Sequence, residues 1–298
     1  MLKSFIKKAM PLIILLGLFT LTACNNGTGA VAEIAGASAP LTELPQIWLV
    51  PPRPEPATMA EDFIATTMLQ LSPLTPGELL VTMHTNKGDV TFRFFPTEAP
   101  MAVENFLTHA WNGYYNGITF HRVIDGFMMQ GGCPEGTGMG GQSIWGGQFG
   151  QELSADLMHF RGALAMAQSS MPDSIGSQFY VVQNPNLGQF RSEFVSLLER
   201  QGELLQEFPD GSYVNIGDAF PEEALNYFIE NGGTPSLDRF FTHNPHTVFG
   251  HVVAGMEVVD AIVAVPVEGG GPENPFQHRP VDDVTITGFT FRNYEGGS

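Results

Sequence analysis

The sequence predicts a mainly β fold built as a closed antiparallel barrel, on three observations. Composition comes first: among 298 residues, Gly 34, Pro 22 and Phe 23 favour short strands joined by turns and packed by aromatic rings over a helical bundle. Second, Val81, Met83 and Thr85 alternate with polar neighbours, Asn86-Lys87-Gly88-Asp89 reads as a turn, and Val90, Phe92 and Phe94 alternate again, which is a hairpin. Third, brief apolar stretches recur at 118–124, 127–130, 162–167, 178–183, 248–253 and 284–291 with glycine-rich connections. Closing such strands into a barrel leaves no edge to aggregate. With 43% apolar residues the chain buries a sizeable core, which excludes disorder throughout. Acidic side chains outnumber basic ones 31 to 13, for a formal net charge of -18, so nucleic acid is not an expected partner.

Residues 1–23 read as an export signal, because Lys3, Lys7 and Lys8 precede an uncharged apolar run over 9–21 that is short for a membrane span. The run ends in Leu21-Thr22-Ala23-Cys24, which resembles the lipobox of bacterial lipoproteins. That resemblance implies acylation of Cys24 and an extracytoplasmic protein anchored to a bacterial membrane by lipid. So acidic a domain is repelled by anionic headgroups, which leaves the lipid to hold it. Residues 24–77 are rich in Gly, Ala, Thr and Pro, including Pro51-Pro52-Arg53-Pro54-Glu55-Pro56, and read as a flexible stalk with one short helical stretch near 63–71. The folded domain is expected over 78–293, followed by a tail at 294–298. Inside it, Ala99, Ala102, Val103, Phe106, Leu107, Ala110 and Trp111 share one face of a helix, with Thr97 as N-cap and Gly113 as stop. Over 188–243 the strand period lapses. Phe194, Leu197, Leu198, Leu205 and Phe208 mark a helix face and 222–230 a second helix, so a helical insertion is expected on the barrel.

The densest chemistry lies in Phe120-His121-Arg122-Val123-Ile124-Asp125-Gly126-Phe127-Met128-Met129-Gln130-Gly131-Gly132. Gly162-Ala163-Leu164-Ala165-Met166-Ala167 follows, leading to Ser177-Gln178-Phe179-Tyr180, then His246-Thr247-Val248-Phe249-Gly250 and Gly255-Met256-Glu257-Val258-Val259. In this order the segments resemble the cyclophilin family of peptidyl-prolyl cis-trans isomerases, over roughly 79–291 apart from the insertion. The resemblance implies an eight-stranded barrel capped by two helices. It also implies a monomeric enzyme that speeds the folding of exported proteins, acts on proline-containing unfolded or flexible polypeptides, and needs neither cofactor nor metal.

The residues suit that chemistry in their own right. Rotating a peptide bond requires no nucleophile, only relief of amide resonance against a barrier of about 18–20 kcal/mol. The two isomers of an X-Pro bond differ by only about 0.5–1 kcal/mol, so a catalyst changes the rate and leaves the equilibrium alone. In the twisted state the proline nitrogen regains a lone pair, which Arg122, permanently protonated and with donors in a rigid fork, can bond. Alternation along 127–130 sends Phe127 and Met129 one way and Met128 and Gln130 the other, so Phe127 and Met128 suit either an apolar slot or plain barrel core. Gln130 and Gln178 are amides in apolar strands, where a partner is required, and Arg122 or a peptide backbone would serve.

By match to the family, Arg122, Gln130 and Phe127 form the catalytic set. His121, Met128, Ala167, Gln168, Gln178, Tyr180, Leu237 and His246 bind substrate, the two histidines shaping the pocket without moving protons. Tyr180 stands where the family usually has phenylalanine, so its hydroxyl needs water or a partner. Gln168 replaces the usual asparagine in the strand that pairs with the substrate backbone. Leu237 matches the pocket leucine and Ser236 the tryptophan position, with Phe240 or Phe241 as alternatives for that space, and weak inhibition by cyclosporin is expected.

Other motifs lead nowhere chemical. Gly136 to Gly141 satisfies G-x-G-x-x-G, but Pro134 precedes it and no helix pattern follows, so it reads as a loop. Eight histidines show no metal-ligand spacing, and no G-x-S-x-G elbow is present. Cys133 takes the family's aspartate position and reads as an inert loop thiol, with a redox role as the alternative. A non-catalytic peptide-binding chaperone or docking module on the same scaffold is the competing function, and the intact Arg122, Phe127 and Gln130 set argues against it.

Overall fold

The computed structural model describes residues 34, 36–47, 58–171, 173–188, 190–200, 205–239, 241–269 and 278–296. Cys24, Phe240 and the export signal lie outside them. The alternating stretch folds as the expected hairpin: β1 (Leu79–Thr85) pairs with β2 (Gly88–Phe94), with Thr85 opposite Gly88. After α1 (Pro100–Trp111) come β3 (Arg122–Ile124), β4 (Met128–Gly131), β5 (Ala163–Met166) and β6 (Phe179–Val182). The insertion follows, as α2 (Phe190–Glu199), β7 (Leu205–Glu207), β8 (Tyr213–Asn215), α3 (Ile216–Ala219) and α4 (Glu222–Asn231). The chain then returns through β9 (Val248–Ala254), α5 (Met256–Val263), β10 (Val267–Glu268), β11 (Arg279–Pro280) and β12 (Ile286–Asn293).

Among the described residues, eight strands form one curled antiparallel sheet in the order β12-β1-β2-β9-β5-β6-β4-β3. The expected closed ladder is corrected to an open one, because the two end strands do not pair. The segment ahead of β3 meets the start of β12 instead: Phe120 N–H donates to the Val284 carbonyl at 2.9 Å, Ile286 N–H to Ile118 at 2.9 Å, and Thr119 bridges Thr285. Backbone groups at this seam are thereby paired although β3, only three residues long, never reaches β12.

Inside the curl lies one apolar core to which α1 contributes Ala102, Val103, Phe106, Leu107 and Ala110, the face the spacing predicts. Helix α5 adds Val259, Ile262 and Val263. The start of α1 departs from expectation. Pro100 occupies its first turn and Ala99, not Thr97, is the N-cap, without a side-chain bond. The unpaired N–H groups there are instead capped from afar by Glu152, whose carboxylate accepts from Met101 at 3.0 Å and Ala102 at 2.8 Å. Burial pushes the Glu152 carboxyl up, and those two donors pull it back. Gly113, just past the helix at φ +71°, ends it as expected.

A second apolar cluster joins the insertion to the barrel, with Val214, Phe220, Leu225 and Phe228 against Met158 and Phe160. Leu205 and Phe208 are not on a helix. Leu205 begins the first strand of the β7–β8 hairpin, and Phe208, just after that strand, opens a turn where Gly211 sits at φ +80° and Asp210 Oδ1 accepts from Ser212 N–H at 3.0 Å. The Pro209-Asp210-Gly211 run is a turn signal stronger than the helical spacing beside it.

Where it is described, the stretch expected to be a flexible stalk is partly packed, with exposed residues between docked ones. Leu41, Leu44 and Ile47 lie on the main core, and Ser38 N–H bonds the Asn293 carbonyl at 2.8 Å. Farther on, the buried Gln70 amide accepts from Met158 N–H at 2.7 Å and donates to the Met158 carbonyl at 2.9 Å. Met68 and Ala60 join the insertion's cluster. Their apolar side chains outweigh the loop-like composition around them.

Candidate active site

Strands β3 and β4 place Arg122 directly opposite Gln130, and β4 pairs with β6 so that Gln130 lies opposite Tyr180. A directional chain of amides runs through this pairing. The carbonyls of Gly138 and Gly140 accept both hydrogens of the Gln178 amide, at 2.9 and 2.8 Å, which turns its oxygen toward Gln130. Gln130 donates to that oxygen at 3.0 Å, and its own oxygen then faces Arg122 at 3.4 Å. Glycine-loop carbonyls therefore fix the polarity of the whole row, since an amide whose hydrogens are committed can offer only its oxygen to the next group. The glycine-rich segment 136–141, read from sequence as a loop, is the anchor of this row.

Arg122 is half-buried, and its guanidinium lies 5.8 Å from the centre of the Phe127 ring. No ion pair to Arg122 occurs among the described residues. Burial lowers its pKa, yet a guanidinium starts so high that it keeps its charge. Beside it lies a third apolar cluster that gathers Met128, Tyr180, Leu157 and Val248, with Phe127, Ala167 and Leu237 packed against it. Strand alternation holds for Met129, which enters the main core, and for Met128 and Gln130, which face away. It fails for Phe127. The strand begins at Met128, so Phe127 belongs to the turn and swings to the Met128 side.

The remaining sequence-predicted residues are placed unevenly. His246 stands edge-on to Tyr180, with ring centres 5.6 Å apart. Leu237 joins the third cluster, but Phe241 does not fill the neighbouring space, because its ring packs 5.2 Å from Phe220 in the insertion. Ser236 sits in the short turn Pro235–Leu237. Gln168 turns its amide to the Asn244 side chain and the Pro245 carbonyl, at 3.0 and 2.9 Å, and so braces the loop ahead of His246. Ala167 N–H already bonds the Gln178 carbonyl at 2.9 Å, so a peptide laid along this strand must use other backbone groups of 167–168. Gln130, Ala167, Gln168 and Gln178 nevertheless line one groove of about 240 Å³. His121 lies beneath the glycine loop, where a Cβ on Gly138 would come within 3.2 Å of its ring. Cys133 is fully buried and accepts from Gly138 N–H at 3.3 Å, bracing the same loop.

One residue at the site, His159, carried no sequence signal. His159 Nε2 meets the Tyr180 hydroxyl at 2.9 Å, and its Nδ1 meets Asp238 Oδ1 at 2.6 Å. Met158-His159-Phe160 falls between elements and shows no period, so nothing marked it.

Three imidazoles are held neutral by desolvation: His251 at about 3, His246 at about 4 and His121 at about 4. Positive neighbours add to this, Arg93 beside His251 and Arg122 and Arg279 beside His121. In the unfolded chain these rings take up protons near pH 6.5, whereas the fold refuses them until pH approaches 4 or below. Their contribution to stability is complete above that upper value and is lost as pH falls. Unfolding free energies from urea titration are expected to drop between pH 7 and 4.5, each ring steepening the fall by at most about 1.4 kcal/mol per pH unit. A free energy that stays level across that range would show that the rings titrate inside the fold.

Comparison with known proteins gives a consistent picture. A family model described as cyclophilin type peptidyl-prolyl cis-trans isomerase/CLD matches residues 80–291. A Staphylococcus aureus (strain USA300) protein named as a peptidyl-prolyl cis-trans isomerase is 44% identical over 210 residues, covering 70% of this chain and 90% of that one. A Staphylococcus haemolyticus counterpart is 44% identical over 211 residues, covering 70% and 89%. Among solved structures, a Cryptosporidium parvum cyclophilin type peptidyl-prolyl cis-trans isomerase is similar with a TM-score of 0.50 and 26% identity, over 72% of this chain and 97% of that one.

Proposed function

The chain belongs to the cyclophilin-type peptidyl-prolyl cis-trans isomerases, and from that premise we propose that Arg122 is the group that accelerates rotation of an X-Pro bond. A proline ring enters the slot formed by Phe127, Met128, Tyr180 and Leu237, with His246 at its rim. The preceding backbone lies along Ala167 and Gln168, and Gln130 and Gln178 hold the guanidinium and the peptide in register. As the amide twists, the nitrogen becomes pyramidal and an Arg122 N–H bonds the emerging lone pair. His121 orders the glycine loop from beneath. No proton moves and no covalent bond forms.

The observation that carries this reading is the disposition of Arg122: charged, half-buried, over the Phe127 ring, with no carboxylate paired to it among the described residues. Its charge is therefore available to something that arrives. A protease-coupled isomerase assay on the full chain in detergent tests the reading, with acceleration of a proline peptide as the expected result. Suppression of aggregation without any acceleration would favour the non-catalytic chaperone instead.

We further propose that substrates are proline-containing segments of unfolded exported chains, met outside the cytoplasm by a protein tethered through acylated Cys24. The lysines, the short apolar run and the residues before Cys24 support this. Expression with a labelled fatty-acid precursor is expected to label the protein, and Cys24→Ala to abolish the label. Equal labelling of both would remove the anchor.

A further inference from the structure

We propose that His159 is a positioning residue for the proline slot: one imidazole, bonded on one side to the Tyr180 hydroxyl and on the other to the Asp238 carboxylate, locks the loop carrying Leu237 and His246 against the strand carrying Tyr180. This rests on the isomerase reading and adds to it a second layer of residues.

The geometry is closed at every link. His159 is 1% exposed, Tyr180 3% and Asp238 6%, so water does not compete for these bonds. Asp238 Oδ1 accepts twice from one residue, from His159 Nδ1 at 2.6 Å and from its backbone N–H at 2.9 Å. Because a carboxylate oxygen accepts there, Nδ1 carries the ring proton, Nε2 is the acceptor, and the Tyr180 hydroxyl donates to it. Burial and the Asp238 charge hold the Tyr180 phenol protonated, which keeps that donor in place. The backbone repeats the attachment, with Thr234 N–H on the His159 carbonyl at 2.7 Å.

What the relay ties down is the wall of the slot. Asp238 directly follows Leu237, which packs on the cluster holding Met128 and Tyr180. His246 N–H bonds the Leu237 carbonyl at 3.2 Å, and the His246 ring stands edge-on to both Tyr180 and His159, at 5.6 and 6.4 Å. Without the imidazole, the loop that brings Leu237 and His246 would keep its backbone bonds but lose its side-chain grip on β6. A hydroxyl on Tyr180 thus gains a function: it lets the strand hold the loop.

The test reads substrate affinity against turnover on the full chain in detergent. His159→Phe keeps a flat ring and removes both links; KM for an Ala-Pro peptide is expected to rise about fivefold with kcat within about twofold, because a displaced wall weakens binding while Arg122 still acts. Tyr180→Phe and Asp238→Asn each break the relay at one end, so their effects on KM are expected not to add: the double variant should be no worse than the poorer single one. Should His159→Phe fail to fold, that cycle decides alone. A wild-type KM in His159→Phe, or additive effects in the cycle, would overturn the proposal. If the wild type accelerated nothing, the isomerase reading would fall, and the same cycle read as peptide affinity by NMR titration would still judge the relay.

Discussion

Arg122→Ala is expected to lower kcat/KM about a hundredfold, the loss that follows from removing one preorganised donor worth about 3 kcal/mol in the transition state. The size follows from timing. On the proposed mechanism, the ground-state proline nitrogen shares its lone pair with the carbonyl and offers nothing to a donor, so an Arg122 bond would form only as resonance breaks, and a group that binds only then raises kcat. Peptide affinity, measured separately by NMR titration, is expected to change little, because Phe127, Met128, Tyr180 and Leu237 remain. Stability is expected to stay near that of the wild type: Arg122 makes a single long hydrogen bond, to Gln130 at 3.4 Å, and forms no ion pair among the described residues. Arg122→Lys should recover only part of the rate, since an ammonium lacks the fork that keeps one N–H on Gln130 while another faces the substrate. An Arg122→Ala protein that kept half its rate would move the catalytic power to the slot itself.

The sequence was most informative where side chains repeat with a period or where chemistry is dense. The β1–β2 hairpin and the inward face of α1 follow directly from alternation and helical spacing. The Gln-Gly-Gly run was readable for a reason the backbone makes plain: Gly132 sits at φ +86°, and a Cβ there would come within 2.5 Å of the Ser177 carbonyl, so the close approach of β4 to the start of β6 admits no side chain. What escaped was whatever depends on contacts between distant segments. Glu152 caps a helix about fifty positions upstream, Gln70 serves Met158, and the Tyr180–His159–Asp238 relay spans three stretches of chain; none of these has a local signature. The packing of 36–47 and 58–77, read from sequence as stalk, has a related cause. Their composition resembles a linker, but a few apolar residues such as Leu41, Ile47 and Met68 suffice to dock them once the barrel presents a surface. Sequence alone shows those residues and hides the surface.

Phe106→Ala is expected to be the most damaging core substitution, costing about 3–5 kcal/mol, a large share of the roughly 5–15 kcal/mol that holds an ordinary domain together. The ring is wholly buried and touches five others, Phe94, Tyr115, Phe179, Phe249 and Phe289, with centres 5.1 to 5.9 Å away. These belong to β2, the loop after α1, β6, β9 and β12, so one ring links the helix to four strands of the curled sheet. A cavity there cannot be refilled easily, because its walls are stiff aromatic rings held edge-on, at 89° to Phe179 and 86° to Phe289. The consequence reaches the site. Phe179 begins β6 between Gln178, just ahead of the strand, and Tyr180, and the neighbouring Asn105 side chain bonds the Gly176 carbonyl at 2.9 Å, so loosening α1 loosens the segment that carries both groups. Urea denaturation should therefore show a much lower midpoint with an unchanged slope, and kcat/KM of the folded fraction should fall as well, whereas Phe106→Leu should restore most of both. A loss below about 1 kcal/mol would mean that the rings close over the gap, and that α1 is held to the sheet by the aliphatic residues around Phe106 and not by the aromatic cluster.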